Sequence, residues 1–514
     1  MSAAVLAATM VPAALGFPAA QAEPGSVDQI QWKKCPDEFF TEAGIAKADK
    51  PRFSCATYAV PISHDDPTQG SLNIALSKKA AGKPSAKVGS IFVNPGGPGV
   101  SGWTFSATSG LTTGVEDRFD IIGFDPRGVG RSNPFGCFTT DAEAHDAWSK
   151  ISARPKTKDE INTTLTGYAD IARSCKTHSG LLLDHMATRD VARDLDLLRA
   201  AAGEEKLDYV GYSYGTLIGA TYANMFPRSV RSMVLDGNVD PALRTTNGVE
   251  YDRQRAEGAQ ISVDKALDRC AKVGVRCEFG KGDPKAKFDR ITRRLSSGPI
   301  TMASGEVVTE EEFGRAVGLA LRSGDRAGLW ADLQDIFEAV AGPVRERKPQ
   351  PLRVVTKIAG DPRFEMSPEA SDAENSHESF FAVNCADKPF RNKQRDVPAM
   401  AAKWERQYPE RGRAQAFSES AACPVWPDKS DPYQGPWRAD TDNPIVVVGN
   451  YFDPNTRYEF SRRMAQELGF SRLISTDADK HCILGDIPEL DKVVESYLVD
   501  LKTPAAGLFF EYDD

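Results

Sequence analysis

DYVGYSYGT, residues 208 to 216, has the pattern of a strand end, a sharp turn and a helix start. Its centre, Gly211 to Gly215, fits G-x-S-x-G, in which a serine nucleophile stands on a strained turn above a sheet. The glycines remove side chains that would clash in so tight a turn. The motif therefore predicts that Ser213 is a nucleophile and that the positive end of the following helix points towards it.

The flanking sequence supplies the elements that this motif requires. An amphipathic helix is predicted over about Asp190 to Ala201, and Leu207, Tyr209 and Val210 form a short apolar strand after it. G-x-S-x-G also occurs in ordinary loops, but the order of strand, turn and helix favours the catalytic interpretation.

The composition of the chain argues against some classes of binding partner. The chain has 514 residues, of which 41% are hydrophobic and 26% charged, and its net charge is −9. Nucleic acid is not expected as a partner, because such proteins need an excess of basic residues to neutralise phosphates. The charge gives no reason to expect binding to anionic membranes.

The first 22 residues have the composition of an export signal. MSAAVLAATMVPAALGFPAAQA carries no charge, ends in the cleavage pattern Ala20-Gln21-Ala22, and is short for a membrane span. Its missing basic start leaves two alternatives, an upstream initiation site or an unprocessed anchor. We expect a secreted or cell-envelope protein without stable membrane insertion.

Nine cysteines agree with export. The absence of any C-x-x-C spacing argues against zinc and thioredoxin-like sites, so we expect no metal. Eight of them are neighbours in pairs, although the sequence leaves their connectivity open: Cys35 with Cys55, Cys137 with Cys175, Cys270 with Cys277, and Cys385 with Cys423. The ninth, Cys482, is interpreted as a packed thiol.

A glycine-rich loop, Asn94 to Gly99, follows the buried strand Gly89 to Val93. It does not continue as G-x-G-x-x-G, so no dinucleotide cofactor is expected. Esterases and lipases carry an oxyanion loop at this place in the chain order. We predict the N–H of Gly97 as one oxyanion donor, with Gly96 as the alternative, and the N–H of Tyr214 as the second. A plain surface turn is the competing interpretation.

Three motifs in this order resemble one family: NPGGPG at 94–99, FDPRGVGRS at 124–132 and GYSYGT at 211–216. They are similar to the α/β-hydrolase peptidases related to proline iminopeptidase, above all the secreted tripeptidyl aminopeptidases of actinobacteria. Asn94 stands where proline iminopeptidases usually have histidine, as in the tripeptidyl group. The resemblance covers about residues 89 to 240 and resumes near the C-terminus. It implies an α/β-hydrolase fold, with a mostly parallel central sheet flanked by helices and a largely helical cap.

The predicted division follows the change in sequence character. Residues 23–240 form the first part of the core, 241–439 the cap, and 440–514 the part that carries the acid and the base. Two helices are expected within Glu310 to Ala341, and the last strand over Arg472 to Thr476. The loop Asp125 to Ser132 is assigned a structural, ion-paired role.

A serine nucleophile needs a base, and the base needs an orienting acid. In this fold the chain order is serine, acid, histidine. Only His377 and His481 follow Ser213, and His481 lies just beyond the last strand, where the base belongs. Asp453 is the predicted acid because it follows the penultimate strand of the sheet and precedes a helix. The alternative is Asp236, which otherwise is a structural carboxylate in the floor of the site.

The resemblance implies release of short peptides, tripeptides in particular, from free N-termini, with no cofactor. Glu378 and Asp387, which flank Phe380-Phe381, are the candidates to bind the substrate ammonium group; solvated or ion-paired acids are the competing interpretation. A carboxylesterase or lipase with the same triad is the alternative function, and a non-catalytic binding protein of this fold is a third. The sequence predicts no oligomeric state.

Overall fold

Most strands of the ten-stranded sheet come from apolar runs in the sequence. The computed structural model describes residues 28–302, 304–341, 370–427 and 429–512. The predicted leader, residues 1–22, lies outside them. The strands of the sheet are β1 (Lys33–Lys34), β2 (Phe53–Pro61), β3 (Ser71–Lys79), β4 (Gly89–Asn94), β5 (Phe119–Phe124), β6 (Leu207–Tyr212), β7 (Val230–Asp236), β10 (Ile445–Asn450), β11 (Ser471–Thr476) and β12 (Leu508–Phe510). A separate hairpin holds β8 (Ile300–Thr301) and β9 (Val307–Val308).

The strand order is β1-β2-β3-β5-β4-β6-β7-β10-β11-β12. The pairs β1–β2, β2–β3 and β3–β5 are antiparallel, and the pairs from β5 through β12 are parallel. The order reverses at β4, which lies between β5 and β6, with Asn94 paired to Gly211. Open parallel sheets bind ligands at the carboxyl ends of such strands.

Helices cover both faces of the sheet, as parallel strands require. Those of the described chain before β10 are α1 (Asp37–Glu42), α2 (Phe105–Thr108), α3 (Thr113–Arg118), α4 (Asp141–Trp148), α5 (Lys158–His178), α6 (Thr188–Ala201), α7 (Gly215–Met225), α8 (Pro241–Thr246), α9 (Gly248–Lys272), α10 (Pro284–Ser296), α11 (Glu310–Ser323), α12 (Arg326–Ala341), α13 (Ala370–Asp387), α14 (Val397–Gln407), α15 (Gly412–Ala416) and α16 (Glu419–Ala422). After β10 come α17 (Tyr458–Leu468) and α18 (Pro488–Asp500).

The helical region between β7 and β10 has a hydrophobic core of its own, contributed by α9 to α12; among its buried members are Leu267, Phe288, Ile291, Phe313 and Leu333. The two helices expected within Glu310 to Ala341 are confirmed as α11 and α12. This region is the largely helical cap of the predicted fold. The limits 241 and 439 stay a prediction.

The hairpin of β8 and β9 in the cap and one strand of the main sheet were not expected. The sequence indicated Arg472 to Thr476 as the last strand, but β12 adds a parallel partner to β11. It is only three residues long and half-exposed, so it lacks the buried apolar run that marks the other parallel strands.

Four disulfides link the eight neighbouring cysteines in the pairs that the sequence offered: Cys35–Cys55, Cys137–Cys175, Cys270–Cys277 and Cys385–Cys423. Cys482 is the free cysteine of the described chain. No helix among the described residues is long and apolar enough to cross a bilayer.

Candidate active site

The turn between β6 and α7 holds Ser213 in a conformation that L-residues rarely adopt, with a φ of 55°. Its N–H donates to the Asp236 carbonyl over 2.9 Å, which ties the turn to the end of β7. Gly211 and Gly215 are required by close backbone approaches. A Cβ at Gly211 would lie 2.5 Å from the Gly215 carbonyl oxygen, and one at Gly215 would lie 2.7 Å from that of Asn94.

His481 and Asp453 form a buried pair at the ends of β11 and β10. His481 Nδ1 lies 3.0 Å from Asp453 Oδ1 and 2.9 Å from Oδ2. Their side chains are 9% and 1% exposed, so the pair is shielded from water. The same carboxylate accepts the backbone N–H groups of Asn455 and Thr456, each over 2.8 Å, and the Thr456 hydroxyl over 3.0 Å. These donors orient Asp453 towards His481.

The loop that carries His481 is anchored on both sides. Its backbone N–H donates to the Arg322 carbonyl over 3.2 Å. Beyond it, Asp236 Oδ2 accepts the N–H groups of Ile483 and Leu484 over 2.7 and 2.9 Å. The loop passes so close to Gly237 that a Cβ there would lie 3.1 Å from His481 Cε1. Because the Ser213 N–H donates to the Asp236 carbonyl, the end of β7 is hydrogen-bonded both to the serine turn and to the loop of His481.

Asp236 therefore differs from Asp453 in what it binds. It is fully buried, its Oδ2 holds the backbone after His481, and its Oδ1 has no hydrogen-bond partner among the described residues. Burial raises its pKa to about 6, although the two backbone donors and the nearby His481 lower it. This environment fits the structural carboxylate that the sequence offered as the alternative role for Asp236.

The raised pKa of Asp236 predicts a pH-dependent contribution to stability. The folded chain binds this proton more tightly than the unfolded chain, whose carboxyl titrates at 3.8. The stabilising contribution is therefore complete below that value and is lost as the pH rises through about 6, by about 3 kcal/mol in all.

Asp236→Asn keeps an oxygen for Ile483 and Leu484 but does not titrate. Chemical denaturation at several pH values is expected to show the unfolding free energy of the wild type falling relative to this variant, by about 2 kcal/mol between about pH 4 and pH 7. A difference that does not change with pH would contradict the assignment.

The Asn94 to Gly99 loop lies against the serine turn. A Cβ at Gly96 would lie 2.4 Å from the Tyr212 carbonyl oxygen and 2.8 Å from the Tyr214 nitrogen. The Gly96 N–H already donates to Asn94 Oδ1 over 2.9 Å. Gly97, with a φ of 104°, lines the cavity beside Ser213 and Tyr214. Of the two predicted glycines, Gly97 is thus the better placed to donate an N–H to a reacting oxygen.

Tyr214 stands at the N-cap of α7, where backbone N–H groups have no partner within the helix.

The neighbouring loop 125–132 fixes the other end of the glycine loop. The Asp125 carboxylate accepts the Ser101 hydroxyl and the N–H groups of Gly102 and Trp103, over 2.6 to 2.9 Å. Arg127, fully buried in this loop, forms an ion pair with Asp194. The predicted structural role of the loop is confirmed.

Cys482 is a packed thiol with a positive φ of 61°. It lies against the apolar cluster beneath the site, and its Sγ approaches the Asp236 carbonyl at 3.5 Å. Burial, together with the charges of Asp236 and Asp453, raises the pKa of the thiol well above its ordinary value. The neutral thiol is a poor nucleophile.

A cavity of about 420 Å³ opens above Ser213, between the sheet and the cap. Its lining combines aromatic and charged residues. The aromatic residues include Trp148, Tyr168, Phe380, Phe381 and Phe417, and the charged residues are Arg244, Arg255, Glu311, Arg322, Arg411 and Glu419. Of these charged residues, none had been singled out from the sequence.

The two carboxylates predicted to bind an ammonium group do not line this cavity. Glu378 Oε2 accepts the Cys137 N–H over 2.7 Å. Asp387 accepts the Thr188 N–H and hydroxyl over 2.9 and 2.6 Å. Both are buried in structural hydrogen bonds, so their substrate-binding assignment is corrected. The lining residues of α13 are His377, Phe380, Phe381 and Asn384, a helical face from which Glu378 is rotated away.

Two family models match parts of the chain. Residues 89–257 match the family model described as alpha/beta hydrolase fold, and residues 408–509 match the one described as TAP-like protein. The chain has the α/β-hydrolase fold, and its C-terminal part is similar to TAP-like proteins. Both matches include residues of the site, Ser213 in the first and Asp453 and His481 in the second. The class of the protein is therefore a serine hydrolase.

Curated relatives of this α/β hydrolase span different activities. Serine protease Hip1 of Mycobacterium tuberculosis is 29% identical, over 96% of this chain and 93% of its own length. Tripeptidyl aminopeptidase of Streptomyces lividans is 28% identical, over 93% and 85%. Carboxylesterase B of M. tuberculosis is 28% identical, over 98% and 94%. At these identities the relatives do not decide between peptides and esters.

Proposed function

We propose that this hydrolase is an exported serine exopeptidase that removes short peptides, tripeptides in particular, from free N-termini. The observation that carries the proposal is Ser213 in the lining of a small cavity beneath a cap, with the hydrogen-bonded pair His481–Asp453 on the neighbouring strand ends. About 420 Å³ suits a ligand of a few residues, and not a chain that passes through. The four disulfides support an oxidising, extracytoplasmic location.

In the proposed mechanism, His481 Nε2 takes the Ser213 proton as Oγ attacks the carbonyl carbon of the scissile peptide bond. The N–H groups of Gly97 and Tyr214 stabilise the resulting oxyanion. His481 then protonates the leaving amine, which departs and leaves an acyl-enzyme. A water molecule, deprotonated by His481, hydrolyses this ester and restores Ser213. Asp453 fixes the Nδ1–H tautomer and stabilises the imidazolium cation.

Glu311 replaces Glu378 and Asp387 as the proposed partner of the substrate ammonium group. It lines the cavity and is exposed at its mouth. It has no hydrogen bond or ion pair among the described residues, whereas Glu419 is bound by Lys388 and Arg255 over 2.9 and 3.1 Å. A free carboxylate at the mouth suits a charged N-terminus that arrives from solvent.

The length of helix α11 fits a bound peptide of about three residues. The helix carries Glu311 in its first turn and Arg322 in its last, and the Arg322 carbonyl holds the His481 backbone. Eleven residues of helix span roughly 16 Å. Three extended residues reach roughly 10 Å, and a glutamate side chain adds several more. A tripeptide bound at Glu311 by its N-terminus thus presents its last carbonyl near the triad.

Hydrolysis of a matched substrate set at about pH 7 to 8 tests this proposal. The set contains a free-amine tripeptide anilide, its N-acetylated twin, a single-residue anilide and a short acyl ester. We expect the wild type to cleave the free tripeptide and to discriminate against its acetylated twin by roughly 10- to 100-fold, the worth of one charged hydrogen bond.

Glu311→Gln is expected to remove that discrimination while it leaves ester cleavage unchanged. Glu489→Gln is the matched control, since Glu489 is another exposed glutamate in the first turn of a helix. Rapid cleavage of the ester with both tripeptides untouched would overturn the peptidase proposal in favour of a carboxylesterase.

A further inference from the structure

Cations outnumber anions in the wall of the cavity. Four arginines line it, against two glutamates. Two of the arginines are already engaged: Arg255 donates to Glu419 over 3.1 Å, and Arg244 donates to Asn384 over 2.8 Å. The other two, Arg322 and Arg411, make no side-chain hydrogen bond or ion pair with any residue that the structure describes.

The guanidinium groups of Arg322 and Arg411 are close enough for the charge of Arg322 to affect the pKa of Arg411. Burial and the charges of Arg255 and Arg322 together lower the pKa of Arg411 to about 10, although Glu419 and Glu410 oppose them. Burial and Arg255 likewise lower the pKa of Arg322, which Asp453 and Cys482 oppose. Partly buried like charges without acceptors are costly, and a bound anion lowers that cost.

Their place along the cavity relates them to the reacting bond. Arg322 ends α11 at the point where its carbonyl accepts the His481 N–H, so this residue lies at the triad end of the helix. Arg411 lines the same cavity from the segment before α15. A guanidinium group presents a planar pair of donors that matches a carboxylate.

We propose that Arg322 and Arg411 form a subsite for a carboxylate group of the peptide ligand, next to the bond that is cleaved. This inference rests on the proposed peptidase function and adds to it a preference for peptides with a carboxylate at this position. The carboxylate has two possible sources: an acidic side chain at the last residue of the released peptide, or the free C-terminus of a short peptide. Both present the same planar anion to the two arginines.

Inhibition of ester hydrolysis tests the subsite without requiring peptide cleavage. The probe is p-nitrophenyl acetate, and the inhibitors are two matched pairs of free-amine tripeptides. Ala-Ala-Glu amide against Ala-Ala-Gln amide tests the side chain, and Ala-Ala-Ala acid against its amide tests the terminus. We expect the acid of at least one pair to inhibit the wild type at a roughly 10- to 100-fold lower concentration than its amide.

Arg322→Gln and Arg411→Gln are expected to bring this ratio to within about threefold of one, chiefly by weakening the acid. Arg322→Lys and Arg411→Lys keep the charge and are expected to retain part of the preference. Matched controls are Arg315→Gln in α11 and Arg406→Gln in α14, both exposed, which should keep the wild-type ratio. Thermal unfolding confirms that each variant is folded, and a variant that does not fold is replaced by its lysine counterpart.

Two results would overturn the subsite: equal inhibition by acid and amide in the wild type, or the full wild-type preference in the folded variants of both arginines. Failure of the peptidase function has a different readout, since it appears as an uncleaved tripeptide anilide beside normal ester hydrolysis. The inhibition ratios are measured in either case.

Discussion

Replacing Ser213 by alanine is expected to lower kcat roughly 10⁴- to 10⁶-fold towards every substrate that the wild type cleaves. The hydroxyl oxygen forms the acyl bond, so its loss leaves only the binding of the substrate and the oxyanion donors. Substrate binding itself should change little, because Oγ contributes its bond in the reaction and not before it. Initial rates at saturating substrate, with enzyme purified from a host that lacks other peptidases, measure the effect.

The control for Ser213→Ala is its folding. The positive φ of Ser213 is imposed by the turn, and alanine has the same backbone preference as serine there. The melting temperature should therefore stay within a few degrees of the wild type. A variant that is folded and retains more than about one part in a hundred of the activity would contradict the role of Ser213 as the nucleophile.

Exchanging each of two aspartates for asparagine is expected to separate their roles. Asp453→Asn should lower kcat roughly 10⁴-fold at neutral pH, because an amide no longer selects the Nδ1–H tautomer of His481 or stabilises its cation. Asp236→Asn is the matched control: an equally buried carboxylate at a strand end that binds the backbone of Ile483 and Leu484. Its effect on kcat should be no more than roughly tenfold, since it acts only through the position of the loop.

The comparison tests the assignment directly, because the sequence offered both Asp453 and Asp236 as the acid that orients His481. Rates are measured with both the ester and the free tripeptide anilide, so that a change in substrate binding is not read as a loss of catalysis. A larger loss in Asp236→Asn than in Asp453→Asn would reverse the assignment of the acid. Equal losses would mean that the loop position, and not the tautomer, limits the reaction.

The fold was predictable from the sequence wherever a strand is buried on both sides. Such strands show as continuous apolar runs, as in Ile445 to Gly449 and in Phe119 to Phe124, and these runs became β10 and β5. The short edge strand β12 was not predictable, because three half-exposed residues carry no such pattern. Pairing of the cysteines followed their order in the chain, but only the fold brings the partners together.

The residues of the proposed triad could be selected from the sequence because each follows a strand of the sheet at a fixed place in the chain order. The serine turn also carries its own local pattern, which glycine and steric crowding impose on the sequence. The wall of the cavity carries no such pattern. Arg255, Arg322 and Arg411 come from three separate segments of the cap, and no spacing between them marks a shared site. For the same reason the sequence favoured Glu378, which turns out to hold the Cys137 backbone.

The most direct test of the central claim is the mass of the trapped intermediate. The wild type is mixed with a free-amine tripeptide p-nitrophenyl ester, quenched in acid during turnover, digested and mapped by mass spectrometry. The proposed mechanism predicts a tripeptidyl adduct on Ser213, absent from Ser213→Ala and reduced when the N-terminus of the ester is acetylated. An adduct on another residue, or none while product accumulates in a burst, would contradict an acyl-enzyme peptidase that uses Ser213.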